Sequence, residues 1–128
     1  IIDKYLNLVK EEISINDEKI QSFTKQLDHY LNILREFTDW IKEKIKDSKD
    51  DVSAACNDYL KVLGLVATGH AWIKVLEVSF KDYDNNKDFY KDKIQTANFY
   101  FNRVLPRAES HFKTAKTGSK YIMEYKFN

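Results

Sequence analysis

Apolar side chains recur three and four positions apart along most of this chain, the spacing of an amphipathic helix. Ile2, Tyr5, Leu6, Val9 and Ile13 share one side, which predicts a short first helix over Ile2–Glu12. Asn16 is placed to cap a second helix. Asp17 and Glu18 suit its positive N-terminal end, and Ile15 can staple onto Ile20. From there Ile20, Phe23, Leu27, Tyr30, Leu31, Leu34, Phe37, Ile41 and Ile45 continue the spacing. They predict an amphipathic helix of about thirty residues, about 45 Å long.

The polar run from Lys46 to Asp51 contains Ser48, a good N-cap with Asp51 three residues on, and reads as a tight turn. The helix that follows carries two stripes. Val52, Cys56, Tyr59, Leu63, Val66, His70 and Ile73 form one; Val62, Leu65, Gly69, Trp72, Leu76 and Phe80 form the other. Between Val62 and Val75 only Thr68, His70 and Lys74 are polar, so this helix needs cover on more than one side. Gly64 and Gly69 each cost about 1 kcal/mol relative to Ala inside a helix, and close approach by a neighbouring helix is the expected compensation.

After a polar turn from Lys81 to Lys87, where Asp84, Asn85 and Asn86 can reverse and cap the chain, a fourth helix buries Tyr90, Ile94, Ala97, Phe101, Val104, Leu105, Ala108, Phe112 and Ala115. Pro106 should bend it by freeing the carbonyl of Asn102, and Gly118 should stop it. Beyond Gly118, Tyr121, Ile122, Met123, Tyr125 and Phe127 are expected to pack back on the bundle or on a partner. Three long helices and a shorter N-terminal one give an all-α, up-down four-helix bundle, with residues 1–128 as one domain.

Composition sharpens this picture. With 128 residues, 43% of them apolar, the chain can bury one core, and only three Gly and one Pro leave few turns, which favours long helices over short strands. A net charge of +1 with both signs interspersed provides no field for nucleic acid or an acidic membrane. The single Cys56 sits among Ala54, Ala55 and Leu60, as a reduced, buried structural thiol would. Lys61, His70 and Lys74 interrupt the most apolar run, so no bilayer-spanning segment is expected. The chain opens on Ile1 and Ile2 without Met or a signal-like order, so it reads as an excised fragment of a larger, cytoplasmic protein.

Candidate chemistry is sparse. The paired Glu-x-x-His motifs of di-iron bundles, glycine-rich phosphate loops, CxxC pairs and HExxH are all missing, so neither a metal nor a catalytic residue is assigned. His29 falls on a partly exposed flank, His70 on the core stripe as a hydrogen-bonded imidazole, and His111 on a different face from Glu109. One surface line stands out: Phe89, Lys93, Thr96, Tyr100, Arg103 and Arg107. Three uses are open to it. It can be a solvated face with ion pairs to Asp58 or Glu77, a docking surface for acidic groups, or a contact for a phosphate-bearing group such as the nucleotide end of coenzyme A. Lys93, Tyr100, Arg103 and Arg107, with Trp72 of the apolar stripe alongside, form the candidate docking surface.

Two stretches also carry a resemblance. Tyr59-Leu60, Gly64, Gly69 and Trp72, followed by Phe89-Tyr90, Thr96-Ala97, Phe99-Tyr100, Arg103 and Leu105-Pro106, resemble in that order the C-terminal helical extension of bacterial-type FAD-dependent acyl-CoA dehydrogenases. The likeness covers roughly residues 54–123; upstream only the helical pattern agrees. It implies a non-catalytic accessory domain of an enzyme of fatty acyl-CoA oxidation, docking on the enzyme body of the same chain or on a neighbouring subunit. In those enzymes the flavin contacts and the catalytic carboxylate lie in the preceding body, so FAD belongs to the parent and no cofactor residue is assigned here. No nucleic acid, membrane or metal partner is implied. Two rivals stay open: a freestanding helical interaction module without flavin chemistry, and a bundle with a ligand pocket beside the third helix that would make Gly64 and Gly69 functional.

Overall fold

A computed structural model describes residues 1–14 and 17–123. Among these residues there is no strand; the elements are helices joined by short links. The first, α1 (Ile2–Ile13), buries Leu6, Val9 and Ile13, the stripe its spacing predicts. Helix α2 (Gln21–Asp47) starts later than expected. Asp17 lies in a turn where its Oδ1 accepts the Lys19 N–H at 3.0 Å, and Ile20 is the N-cap residue. The proposed Asn16 cap and Ile15 staple fall outside the described residues. At the other end Ile41 is half-buried and Ile45 is 54% exposed, so the apolar stripe outlasts the core it was expected to face.

Ser48 alone links α2 to α3 (Lys49–Lys81). It is extended, and its Oγ accepts the Asp51 N–H at 3.2 Å, satisfying one of the free donors of the helix start. A short 3-10 turn (Tyr83–Asn85) then leads to Asn86, whose side chain accepts the Phe89 N–H and caps α4 (Lys87–Phe99). Next come a π turn (Tyr100–Val104), α5 (Arg107–Ala115) and a last short helix, α6 (Lys120–Met123).

Pro106 accounts for the interruption of the fourth helical arm. It has no N–H to give, and its ring crowds the carbonyl four residues back. The turn widens, so that the Leu105 N–H bonds the Tyr100 carbonyl, five back, at 2.9 Å. Tight bonds from Ala108 to Leu105 and from Glu109 to Pro106 then restart the helix. The bend expected at Pro106 is a π turn.

Inter-helix contacts establish the topology. Asp3 meets Lys42 at 2.8 Å and Asn7 meets Arg35 at 3.4 Å, so α1 runs antiparallel to α2. Thr38 meets the Tyr59 hydroxyl at 2.8 Å and Leu27 abuts Gly69, which sets α3 antiparallel to α2. Tyr100 reaches Leu65 and His111 reaches Asp58, so the fourth arm returns antiparallel to α3. Phe23 packs on Phe101 and Phe37 on Phe112, with ring centroids 5.3 and 4.9 Å apart, making that arm parallel to α2. The result is an up-down bundle whose core lies where α2, α3 and the fourth arm meet, filled by Leu27, Leu31, Leu34, Phe37, Val62, Leu76, Phe101 and Leu105.

Two sequence expectations for α3 are corrected here. Cys56 is exposed, because the residue buried on that turn is its neighbour Ala55. Second, α3 is long and apolar enough to cross a membrane by length and composition, despite the interruptions by Lys61, His70 and Lys74. In this bundle its residues instead supply the central packing surface.

Gly118 ends the fourth arm at φ +75°, the left-handed region where a side chain is strained. Just beyond it, the backbone N–H and the hydroxyl of Ser119 both donate to Asp51 Oδ1 at 2.8 Å. Lys44 lies 3.8 Å from the same carboxylate. These donors, the Ser119 N–H first, hold Asp51 below the usual aspartate range. One side chain thus ties the start of α3 to the start of α6. Tyr121 and Ile122 of α6 are 73% and 61% exposed, so they do not pack back on the bundle; Tyr125 and Phe127 lie outside the described residues.

Candidate functional site

The central helix α3 is covered unevenly. Val62, Val66, Gly69, His70, Ile73 and Leu76 face its neighbours and are buried. Leu60, Gly64, Thr68, Ala71 and Val78, at helical spacing on the opposite side, are exposed. Leu60 is 65% exposed and Val78 49%, and from Val62 to Ile73 the helix carries no Asp, Glu, Lys or Arg. The part of this outward face between Lys61 and Lys74 therefore carries no Asp, Glu, Lys or Arg, on a helix that otherwise serves as core.

The two glycines fall on different sides of this division. Gly69 sits in the crossing: a Cβ there would lie 3.0 Å from Leu27 Cδ1 and 3.7 Å from both Leu105 and Tyr100. Gly64 is exposed, and a Cβ would meet nothing within 4 Å. The expectation of close approach holds at Gly69 and is wrong at Gly64, because five residues turn the helix by about 140° and carry Gly64 off the face that packs on α2 and the fourth arm.

Beside Gly64 runs a groove of about 530 Å³ between α3 and the fourth arm. Lys61, Gly64, Leu65 and Thr68 form one wall; Tyr100, Val104, Arg107 and His111 form the other. Tyr100 is only 8% exposed, and its hydroxyl donates to the Leu65 carbonyl. Burial pushes its hydroxyl pKa up, with the Thr68 hydroxyl opposing. At the groove's end His111 Nδ1 lies 2.8 Å from Asp58 Oδ1.

The candidate docking residues therefore separate. Tyr100 is withdrawn from the exposed line, because the π turn points its ring at Gly69 and commits its hydroxyl to α3. Trp72 is half-buried against the core, and Lys93, also half-buried, holds its ammonium 5.1 Å from the ring centroid of Phe89. Arg103 and Arg107 are both exposed, but only Arg107 lines the groove. Neither arginine pairs with a carboxylate among the described residues. Asp58, one suggested partner, is engaged by His111 instead.

All three histidines meet a carboxylate on another helix. His29 on α2 lies 2.7 Å from Glu109 on α5, and His70 Nε2 contacts Glu12 of α1 while its Nδ1 faces the Tyr5 hydroxyl at 3.3 Å. His70 is thus the hydrogen-bonded core imidazole expected of it, and its bond is the main reason the Glu12 carboxyl sits below the usual range. Burial, with the Glu12 charge adding, raises Tyr5. These pairings join residues 53 to 80 positions apart, so helical spacing could not reveal them. Among the described residues no three His, Cys, Asp or Glu side chains gather as a metal site would require.

A family model described as "Acetyl-CoA dehydrogenase C-terminal like" matches residues 5–126. The chain belongs to this family. No curated protein and no solved structure matches it. The acetyl-CoA dehydrogenase C-terminal-like assignment covers α1 and α2 as well as the stretch from Ala54 onward, so it reaches further upstream than the motif resemblance. Within this domain the residues carrying that resemblance have distinct duties. Gly69, Tyr100 and Leu105 build the α3 crossing, Pro106 interrupts the fourth arm, and Gly64 opens the groove.

Proposed function

We propose that the chain is the non-catalytic C-terminal accessory domain of an FAD-dependent acyl-CoA dehydrogenase of fatty acyl-CoA oxidation, docking on the enzyme body or on a neighbouring subunit. The family match over residues 5–126 supports the parentage. The observation that carries the docking role is the uncharged outward stretch of α3 between Lys61 and Lys74, together with the exposed Arg103 of the fourth arm, which meets no carboxylate among the described residues. Apolar area left outward on a central helix is what a partner surface covers, and an exposed arginine suits an acidic rim. In this reading the body supplies FAD and the proton-abstracting carboxylate, the location is the cytoplasm, and membrane, nucleic acid and metal play no part. The domain itself assigns no residue to flavin or acyl-CoA chemistry.

The test places charge on the stripe away from the groove. In the full-length parent, Ala71→Glu with Val78→Glu should loosen docking or subunit assembly, read by sedimentation and small-angle scattering. Arg103→Glu should do the same more weakly. The isolated domain carrying these substitutions should keep its helical signal and melting point. Unchanged assembly in the parent would remove the docking role.

A further inference from the structure

We infer that the groove between α3 and α5 is a binding site for a small organic phosphate, held by Lys61, Arg107 and His111. Lys61 on α3 and Arg107 on α5 line its two walls, and among the described residues neither has a carboxylate within ion-pair distance. His111 is oriented by Asp58: with Nδ1 engaged at 2.8 Å, Nε2 is the ring nitrogen left for the groove. Asp58 is the acidic group identified at this end, so the two fixed cations outweigh one carboxylate.

The shape of the groove narrows the ligand. Gly64 leaves its wall without a side chain, and the Thr68 hydroxyl is exposed beside it. Leu65 and Val104 supply apolar surface, whereas Tyr100 already spends its hydroxyl on the Leu65 carbonyl. About 530 Å³ exceeds the needs of inorganic phosphate and falls within the range of small-molecule sites. A phosphate monoester presents three oxygens and nearly two charges, which the Lys61 ammonium and the Arg107 guanidinium, on two helices, can share. A carboxylate presents two oxygens and one charge, a poorer match. This inference does not rest on the docking reading, because the substitutions that test docking, at Arg103, Ala71 and Val78, lie outside the groove.

Phenyl phosphate titrated into the 128-residue chain at constant ionic strength, followed by amide and histidine ring shifts, tests the site, with benzoate as the carboxylate comparison. The expected result is a saturable response confined to Lys61–Thr68 and Val104–His111. Lys61→Gln and Arg107→Gln should each weaken binding about tenfold, as loss of one charge-assisted hydrogen bond does. Gly64→Phe should abolish binding by filling the groove, with the melting curve showing the chain still folded. Shifts scattered over surface lysines, an unchanged Kd in both Gln variants, or benzoate binding as tightly as phenyl phosphate would each overturn the assignment.

Discussion

Gly64 and Gly69 lie five residues apart on one helix and have opposite surroundings. At Gly69 the backbone of α3 comes close enough to α2 and the fourth arm for Leu27, Leu105 and Tyr100 all to touch a notional methyl group. At Gly64 the same notional methyl group points into open space. The helix-propensity cost of glycine is similar at both sites, so only Gly69 recovers it through packing. Gly64 leaves its cost uncompensated within the domain. An absent side chain can thus mark either a close contact or a vacant surface, and sequence spacing does not distinguish them.

The largest effect expected from this contrast is at the closed site. Gly69→Leu should overpack the crossing and lower stability by roughly 1–3 kcal/mol in denaturant unfolding; an unchanged midpoint would mean the crossing is loose. Gly118→Ala comes next, at about 1–2 kcal/mol, because φ is +75° and the new Cβ would sit 2.8 Å from Asp51 Oδ1. Tyr100→Phe removes the hydroxyl bond to the Leu65 carbonyl that braces the closed side, and should cost about 1 kcal/mol. Gly64→Ala should act in the opposite direction, raising stability by up to about 1 kcal/mol on helix propensity alone. A loss there would show that something covers Gly64 after all.

The smallest effect concerns Asp51, beside Gly118. Its folded pKa is depressed by the Ser119 donors, so its stabilising contribution is complete above the ordinary aspartate value of 3.8 and fades as pH falls through the lower folded value. Asp51→Asn should therefore flatten the acid limb of the stability–pH curve. An acid limb identical to wild type would show that the clamp does not couple to folding.

The helices were legible in the sequence because their signals are local. The spacing of Leu6, Val9 and Ile13, the Ser48 cap on Asp51, the Asn86 cap and the Gly118 stop all act within a turn or two, and each is present in the fold. Features set by distant neighbours were not legible. Cys56 and Ala55 are both compatible with a buried stripe, and only the placement of the partner helices selects Ala55. Pro106 signalled an irregularity but not its form, since widening the turn and kinking the axis both answer the same missing N–H. Of the candidate site, the line of half-buried Lys93 and exposed Arg103 and Arg107 was half legible. The withdrawal of Tyr100 depends on the π turn, and the roles of Lys61 and His111 depend on α3 meeting α5.

The π turn also makes the fourth arm a device with two independent phases. A helix wheel drawn continuously from Lys87 to Ala115 would carry the phase of α4 into α5, but the wider turn between them inserts part of a residue's rotation. Removing one residue between Tyr100 and Leu105 would let the same N–H and carbonyl close an ordinary α turn and leave α5 in its present phase. Phe112 would stay on Phe37, His111 on Asp58 and Arg107 in the groove. The π turn thus absorbs one residue of chain length locally, and the placement of three side chains on α5 is insulated from it.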